Sequence, residues 1–338
     1  MVPWRIQVFM GRILRTFPFC LFAGEGDLVY IIRQYRKGCK LVQNEGITHL
    51  ISTYGPWSSI LVGYLIAKKF PDLYWIADFR DLPHDGGPYS PFFSGFQKMI
   101  LKKALTNANL ITAVSGGLAT QLDLAVAPVK VIYNGIHQRE IRAEKPLPCD
   151  HFILLYAGTY YPNVNDGSLF ELLTDFITGK KVRLKYMGNN PQIWKKRIEK
   201  YQLGPCSEIT PPIPYSHIGK HLKSASVLLI TSWASEKSRG ILTRKLMDAI
   251  SVQKPVIMYV HGSSDPFLEE FFRRFQPGLL IFSENKDRQN EIGIFLRTKY
   301  TEWKQSGEVK NKELTNTKEL GWTQQLNSLL KIIEKKYL

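Results

Sequence analysis

The chain has 338 residues, enough for about two domains of ordinary size. Hydrophobic residues make up 44% and charged residues 22%, a globular composition that excludes a disordered, collagen-like or coiled-coil chain. The net charge of +16 indicates a polyanionic neighbour such as nucleic acid, an anionic membrane face or a phosphorylated substrate.

The basic charge is spread along the chain. The first 150 residues carry 17 basic and 11 acidic residues, and the remainder carries 28 and 18. Nucleic-acid-binding proteins more often concentrate their charge in one patch or tail, and the sequence has no zinc, helix-turn-helix or RNA-recognition signature. We therefore expect no nucleic-acid partner. Four scattered cysteines without metal-ligand spacing predict no disulfide framework and fit a reducing cytoplasm.

The N-terminal segment 4–19 mixes aromatic and aliphatic residues with three arginines and has no acidic residue. This pattern is typical of a helix that lies on an anionic membrane surface. A core helix whose arginines extend to solvent explains the pattern equally well. The longest apolar stretch, 60–67, is too short to span a bilayer, and the arginines interrupt any secretory signal.

Short apolar runs then alternate with helical patterns, which predicts successive strand–helix–strand units. Strands are expected at 48–53, 73–78, 110–115 and 129–133, and again at 151–157, 182–188, 208–212, 227–232, 255–260 and 279–283. Helices are expected at 56–70, 167–178, 191–203, 215–225, 242–253, 265–275, 286–304 and 323–337. The polar, proline-containing segment 136–150 is predicted to be a linker. The fold class is therefore α/β, with two Rossmann-like domains facing an interdomain cleft.

The carboxyl ends of parallel strands are the expected location of chemistry. The loop from Asp78 through Arg80 to Asp81 follows a predicted strand in the first domain. Arginine is suited to phosphate or carboxylate recognition, and an aspartate there could orient or deprotonate an acceptor hydroxyl. A local ion pair that only shapes the loop explains the same residues equally well.

The segment 239–248 follows a predicted strand of the second domain and opens a helix, where free backbone N–H groups form an anion site. Lys245 and Asp248 are three residues apart and share a helix face. They could neutralise a diphosphate and accept hydrogen bonds from sugar hydroxyls, or form a surface pair, which spacing alone favours. Gly158 with Thr159, and Gly188, end two further strands. A glycine there can let a ligand lie against the strand end, but the sequence alone favours a tight turn at Gly158, and Gly188 is equally ambiguous.

Six segments in order resemble the GT-B glycosyltransferases of the family 4 type, nucleotide-sugar enzymes of bacterial surface polysaccharide assembly. They are WIADFRDLP (75–83), ITAVSGGLATQL (111–122), VKVIYNGI (129–136), LLYAGTYY (154–161), KYMGN (185–189) and GILTRKLMDAISVQKPVI (240–257). The resemblance covers residues 45–335. Each segment alone is a weak signal, and their order is the strong one.

The resemblance implies an acceptor-side domain over 1–140, a nucleotide-sugar domain over 151–315 and a C-terminal helix over 316–338 that packs back on the first domain. It implies donor contacts from Gly158, Thr159, Gly188, Arg239, Gly240, Ile241, Leu242, Thr243, Lys245 and Asp248. Asp248 matches the acid that binds the ribose, and Lys245 with the backbone of 240–243 matches the diphosphate segment. Asp78, Arg80, Asp81 and Lys245 are the implied catalytic residues.

Three departures from the family pattern stand out. Many members carry two glutamates eight positions apart, and here these positions hold Gly240 and Asp248. The arginine expected after the first strand of the second domain is missing between Thr159 and Asn165. The first domain lacks the usual opening strand and glycine-rich loop, so we expect an N-terminally truncated chain.

The sequence thus predicts a retaining, metal-independent glycosyltransferase that uses no cofactor. Its expected donor is a UDP- or GDP-sugar and its expected acceptor a lipid-linked saccharide. Its expected location is the cytoplasm, at the anionic inner face of the plasma membrane. A GT-B-shaped nucleotide-sugar epimerase and an inactive nucleotide-sugar-binding protein are the alternatives.

Overall fold

A computed structural model of the chain describes residues 4–22, 26–81, 91–122, 126–136, 144–160, 166–236 and 238–334. The chain divides into two compact units. One consists of Met1–Tyr133 with Glu236–Gly240, and the other of Asn134–Ser235 with Ile241–Leu338. None of the described helices combines the length and the apolar character that crossing a membrane requires.

The first unit is built on a parallel sheet of four described strands in the order β1-β2-β3-β4. Its elements are α1 (Trp4–Arg15), α2 (Leu28–Glu45), β1 (His49–Tyr54), α3 (Ser58–Lys69), β2 (Tyr74–Phe79), α4 (Ser94–Leu105), β3 (Leu110–Ala113), α5 (Gly116–Leu122) and β4 (Val129–Val131). Every residue of β2 is buried. This explains its continuous apolar run, because a strand covered on both faces has no solvent side.

Trp75 of β2 is fully buried at the centre of this unit, where it packs with Ile60, Phe79 and Leu105. Its indole Nε1 donates a hydrogen bond to the Ser52 hydroxyl on β1 at 2.8 Å. Satisfying the indole in this way removes the free-energy cost of burying its polar atom.

The helix α2 was not among the expected elements. Only two of its residues, Ile31 and Cys39, are buried. Its boundary signals are clear, however. The Asp27 carboxylate accepts a hydrogen bond from the Tyr30 N–H at 2.8 Å, and Gly46 ends the helix with a φ of 59°. An N-cap aspartate and a left-handed C-terminal glycine are standard helix ends.

The second unit contains a parallel sheet in the order β10-β9-β8-β5-β6-β7. Its strands are β5 (Phe152–Ala157), β6 (Val182–Met187), β7 (Ser207–Thr210), β8 (Val227–Trp233), β9 (Val256–His261) and β10 (Gly278–Phe282). Its helices are α6 (Gly167–Ile177), α7 (Pro191–Lys200), α8 (Ile218–Ser224), α9 (Arg244–Ser251), α10 (Pro266–Phe275), α11 (Asn290–Ser306) and α12 (Trp322–Glu334).

The strand order of the second unit reverses between β5 and β8. The chain runs outward from β5 through β6 to β7, then returns to the other side of β5 and continues through β8, β9 and β10. Loops diverge from the sheet at such a switch point, and a crevice opens beyond the carboxyl ends of the strands. The topology alone therefore marks the ends of β5 and β8 as the place for a ligand.

All ten predicted strands and all eight predicted helices are present, with ends that differ by a few residues. The four cysteines are free thiols. The boundary between the units differs from the prediction, because Asn134 and Ile136 belong to the second unit rather than the first. There the Ile136 N–H donates to the Leu320 carbonyl at 2.8 Å. The helix α12 also belongs to the second unit, and its return onto the first domain stays a prediction.

Asp166 is a buried acid at the start of α6. Its side chain is fully buried, and one carboxylate oxygen lies 3.0 Å from Nη2 of Arg197. Burial outweighs this ion pair and raises the pKa of Asp166 from 3.8 to about 6. Because the folded-state pKa lies above the unfolded-state value, stability from this group is full below 3.8 and is lost as pH rises through 6.

We expect Asp166→Asn to remove this pH dependence. The ionised form costs the folded state about 3 kcal/mol once both states are deprotonated. Urea unfolding measured between about pH 4 and pH 7 should therefore show the variant gaining stability relative to wild type as pH rises. Asp175→Asn, a change of an exposed acid on α6, is the control. Parallel stability curves for wild type and Asp166→Asn would contradict the prediction.

Candidate functional site

A cavity of about 250 Å³ lies beyond the carboxyl ends of β5, β6 and β7 in the second unit. Its polar lining comes from the turns after these strands and from the first turns of α9. The predicted donor residues that line it are Gly158, Thr159, Gly188, Lys245 and Asp248. Five residues from three segments that lie far apart in the sequence are thus brought to one cavity beside the switch point of the sheet.

Lys245 is a cationic residue of the cavity lining, and hydrogen bonds connect its side chain to the end of β5 and the turn that follows it. Its Nζ donates hydrogen bonds to the Tyr156 hydroxyl at 2.9 Å and to the Thr159 carbonyl at 2.8 Å. The same ammonium lies 4.5 Å from the centroid of the Tyr156 ring. The Tyr156 hydroxyl in turn lies 3.0 Å from Oγ1 of Thr231 on β8. Both acceptor oxygens are neutral, and Lys245 lies in the lining of the cavity.

Burial lowers the pKa of Lys245 from 10.5 to about 8. Desolvation disfavours the charged form of a lysine, and this is the cause of the shift. At neutral pH the side chain is still largely protonated. A bound phosphate would raise its pKa again, because an adjacent negative charge favours the ammonium.

Asp248 forms the second polar group of the cavity, and its carboxylate is almost fully buried. One oxygen, Oδ1, accepts hydrogen bonds from the Tyr215 hydroxyl at 2.7 Å and from Arg244 Nε at 3.1 Å. Arg244 Nη2 also donates to the Tyr215 hydroxyl at 2.7 Å. Burial, together with the bond to Asp248, raises the pKa of Tyr215 to about 12, so this hydroxyl remains a donor at physiological pH.

The helix that carries Lys245 and Asp248 begins later than the sequence indicated. The expected start lay within 240–243, whereas α9 begins at Arg244 with Thr243 as its N-cap. The Thr243 hydroxyl accepts the Leu246 N–H at 3.4 Å. A threonine marks the start of a helix because its hydroxyl accepts a hydrogen bond from a first-turn N–H that has no carbonyl partner within the helix.

The remaining predicted diphosphate-binding residues are therefore on the segment that precedes the helix. Arg239 is exposed and Gly240 is buried, and both belong to the first unit. Ile241 and Leu242 belong to the second unit, and neither lines the cavity. Their backbone contacts to a diphosphate stay a prediction.

Gly158 and Gly188 are required by close approach of the backbone to its surroundings. Gly158 has a φ of 115°, and a Cβ there would lie 2.6 Å from Cε of Lys245. A Cβ on Gly188 would lie 2.0 Å from the Gly158 carbonyl oxygen. Any side chain at either position would displace the strand ends or Lys245. These glycines thus let the turn after β5 and the lysine pack together.

The Asp78 cluster of the first unit has the geometry of an ion pair embedded in the sheet. Asp78 Oδ2 accepts from Arg80 Nε at 2.8 Å and from the Thr53 hydroxyl at 3.2 Å. Its Oδ1 accepts from the Thr112 hydroxyl at 2.7 Å. Three donors hold this buried carboxylate between neighbouring strands, which favours the loop-shaping interpretation. Asp81 is exposed on the turn that follows, and catalytic roles for these residues stay predictions.

Sequence reasoning missed Tyr156 and Tyr215 as site residues. Tyr156 lies within the quoted segment LLYAGTYY, but nothing in its spacing shows that its hydroxyl meets a lysine 89 residues away. Tyr215 follows a proline-containing loop after β7, and its position after a strand end was the available signal.

Among the described residues, the donor atoms of Cys149, Asp150 and His151 lie within 4.8 Å of one another. This group lies outside the cavity lining, and the Lys181 ammonium is 3.0 Å from one Asp150 oxygen. An ammonium at that distance opposes the approach of a metal cation.

No protein-family profile and no curated protein sequence matches this chain. Solved structures resemble it instead. HepE of Anabaena, in complex with UDP and glucose, has a TM-score of 0.66 at 14% identity over 93% of this chain and 84% of its own. Sucrose-phosphate synthase of Thermosynechococcus elongatus has a TM-score of 0.62 at 16% identity over 91% and 78%.

A protein assigned as a UDP-N-acetylglucosamine 2-epimerase of Listeria monocytogenes is also similar. Its TM-score is 0.57 at 13% identity, over 93% of this chain and 82% of its own. At such identities the likeness shows the fold alone. It confirms the GT-B fold with two Rossmann-like domains.

We expect the affinity for UDP to fall as pH rises above about 8. Lys245 must be protonated to neutralise a diphosphate, and its pKa of about 8 places its loss of charge in that range. The dissociation constant should increase by up to about tenfold per pH unit until the bound-state pKa is passed. Calorimetric titration with UDP across this range measures the effect.

Lys245→Met removes the charge and keeps most of the side-chain volume, so it should bind UDP weakly and without this pH dependence. Lys304→Met, at an exposed position of α11, should behave as wild type. The same pH profile in Lys245→Met and wild type would exclude Lys245 as the titrating group.

We expect Asp248→Asn to abolish discrimination between UDP and 2′-deoxy-UDP. A carboxylate that accepts a ribose hydroxyl contributes about 1.5–3 kcal/mol, so wild type should prefer UDP by about tenfold or more. Tyr215→Phe is the matched control, because it removes a neighbour of Asp248 but keeps the carboxylate. Calorimetric titration with both nucleotides gives the ratios. An unchanged ratio in Asp248→Asn would remove this residue from ribose binding.

Proposed function

We propose that the protein is a glycosyltransferase of the family 4 type that transfers a sugar from a UDP- or GDP-sugar. The observation that carries the proposal is the cavity beside the β5–β8 switch point, which is lined by both Lys245 and Asp248. A partly buried cation and a buried carboxylate in one cavity match the two ends of a nucleotide diphosphate, its phosphates and its ribose. HepE, which has the same fold, is bound to UDP and glucose.

The cavity volume supports occupation by part of the donor. At about 250 Å³ it is slightly smaller than the usual ligand pocket of about 300–1,000 Å³. Apolar residues of β5, β8 and the turn after β7, among them Leu155, Leu228 and Ile213, line it together with the polar groups. A flat base and its ribose suit such a lining, with the phosphates directed towards Lys245.

In the proposed reaction the bond between the anomeric carbon and the phosphate oxygen breaks, and its electron pair goes to the leaving diphosphate. Lys245 stabilises the charge that develops there, a role that often dominates such transfers. The acceptor hydroxyl attacks the anomeric carbon from the face that the diphosphate leaves, and it passes its proton to the leaving phosphate oxygen. Attack from that face retains the configuration of the anomeric carbon. A lysine and backbone amides replace the usual metal cation in neutralising the diphosphate.

The proposed acceptor is a lipid-linked saccharide in surface polysaccharide synthesis, at the cytoplasmic face of the plasma membrane. The net charge of +16 supports this location, because the inner leaflet is anionic. On the acceptor side we propose a role for the turn Asp78–Asp81. The Arg80 guanidinium donates from Nε to the Asp78 carboxylate and from Nη1 to the Ile132 carbonyl, and a guanidinium is suited to recognise a substrate carboxylate or phosphate.

A nucleotide-sugar epimerase is the second candidate, since the same fold occurs in the Listeria protein assigned to that activity. An epimerase would use the donor cavity and need no acceptor. A chain that binds nucleotide sugars without turnover is the third.

We expect the purified chain to release UDP or GDP and to glycosylate a lipid-linked saccharide only when donor and acceptor are both present. Product analysis with each donor, with and without acceptor, separates the candidates. Lys245→Met should lower turnover by about 10²–10³-fold, the range found when an electrostatic contact to the transition state is lost. Free epimer formed without acceptor would overturn the transferase assignment, and nucleotide binding without either product would indicate the inactive protein.

A further inference from the structure

The first unit exposes a set of large apolar side chains where α1 and its following turn meet α4. Phe93 is 80% exposed, Phe22 70%, Met99 58% and Phe9 54%. The other exposed apolar residues of these segments are Ile6, Met10, Leu14, Phe19 and Phe96. We refer to the surface formed by segments 4–22 and 91–105 as the α1–α4 surface. Soluble monomers rarely expose large apolar side chains in such density without an interaction to cover them.

Contacts between the two segments make this one surface. The rings of Phe9 and Phe92 meet edge to face at 5.9 Å, and the guanidinium of Arg12 lies 4.1 Å above Phe92. The Phe92 N–H donates to the Thr16 hydroxyl at 2.8 Å. The side-chain amide of Gln97 donates to the Arg15 carbonyl at 2.6 Å. The helix α1 is therefore held against the start of α4 by aromatic and hydrogen-bonded contacts.

The charge of this surface has one sign. Segments 4–22 and 91–105 contain six basic residues and no aspartate or glutamate. Lys98, Lys102 and Lys103 are exposed on α4, in the same segment as Phe93, Phe96 and Met99. Apolar rings beside the exposed lysines of α4 complement a surface that is anionic outside and apolar beneath, which is the structure of an anionic bilayer.

The backbone conformation of Phe93 is an independent indication that the exposed rings of this surface have a function. Its φ is 56°, in the left-handed region that costs free energy for any residue with a Cβ. A bulky aromatic residue is rare there, and this ring gains almost no packing in return because it is 80% exposed. Such strain at an exposed ring is typical of a functional position.

We propose that the α1–α4 surface inserts its aromatic side chains into the interface of an anionic membrane, with Phe93 as an inserted ring and the lysines of α4 on the phosphates. This deepens the membrane part of the proposed function and rests on that function for the identity of the acceptor. The sequence indicated only segment 4–19, and the structure adds α4 to it and identifies the residues.

The test is flotation of the full chain with vesicles of phosphatidylcholine mixed with phosphatidylglycerol, and of phosphatidylcholine alone, at low and high salt. Wild type should bind the anionic vesicles and dissociate at high salt. Phe93→Gly should bind about tenfold more weakly, since it removes one buried ring. Because glycine relieves the backbone strain, this variant should be at least as stable as wild type, and a loss of binding cannot be attributed to misfolding.

Lys98→Glu should weaken binding by at least about fivefold, the effect of one charge near an anionic surface. Two matched controls lie on α11 of the second unit. Ile294→Ser removes an exposed apolar side chain, 59% accessible, and Lys304→Glu reverses an exposed charge. Both should bind vesicles as wild type does.

Equal vesicle binding by wild type, Phe93→Gly and Lys98→Glu would overturn the proposal. A second result would also overturn it: wild type that does not bind vesicles but self-associates in sedimentation, with the self-association lost in Phe93→Gly. The surface would then bind a second copy of the chain. Titration of every variant with UDP separates this test from that of the proposed function. Absence of UDP binding in wild type would remove the donor assignment, and the vesicle comparison would still decide the surface.

Discussion

The burial of the Lys245 ammonium against the end of β5 is the constraint on which the candidate site depends. A buried lysine is costly unless its charge is solvated by oxygens, and here the Tyr156 hydroxyl and the Thr159 carbonyl supply them. Both oxygens are neutral, and burial lowers the pKa of Lys245 to about 8. The protein therefore holds a cation at the end of β5, and under the proposed function this charge binds the diphosphate of the donor.

The topology of the second sheet determines where this cation lies. The order reversal between β5 and β8 separates the following loops, and the first turn of α9 brings Lys245 to the resulting crevice. The contact is possible only because Gly158 and Gly188 lack side chains, since a Cβ on either would collide with Lys245 or with the neighbouring strand end. The position of α9, the strand order and the two glycines thus together determine where the Lys245 ammonium lies.

The first unit buries one charged group and exposes a set of apolar ones. Asp78 is buried, and hydrogen bonds from three strand-end side chains hold its charge within the sheet. The α1–α4 surface instead leaves aromatic rings and lysines in solvent, and one of those rings is held by a left-handed backbone. A buried, satisfied charge stabilises a fold, whereas exposed aromatic rings beside exposed lysines indicate a partner.

The sequence by itself determined the order of strands and helices, because buried parallel strands need continuous apolar runs and helices need periodic ones. It also identified Lys245, Asp248 and the two glycines as candidates, since they follow strand ends or begin a helix. It missed α2, although Asp27 and Gly46 mark the two ends of that helix. Only the tertiary structure decided the partners: Tyr156 for Lys245 across 89 residues, Tyr215 for Asp248 across 33, and α4 beside α1. Local patterns report the burial of an element, but strand order and helix packing determine which side chains meet.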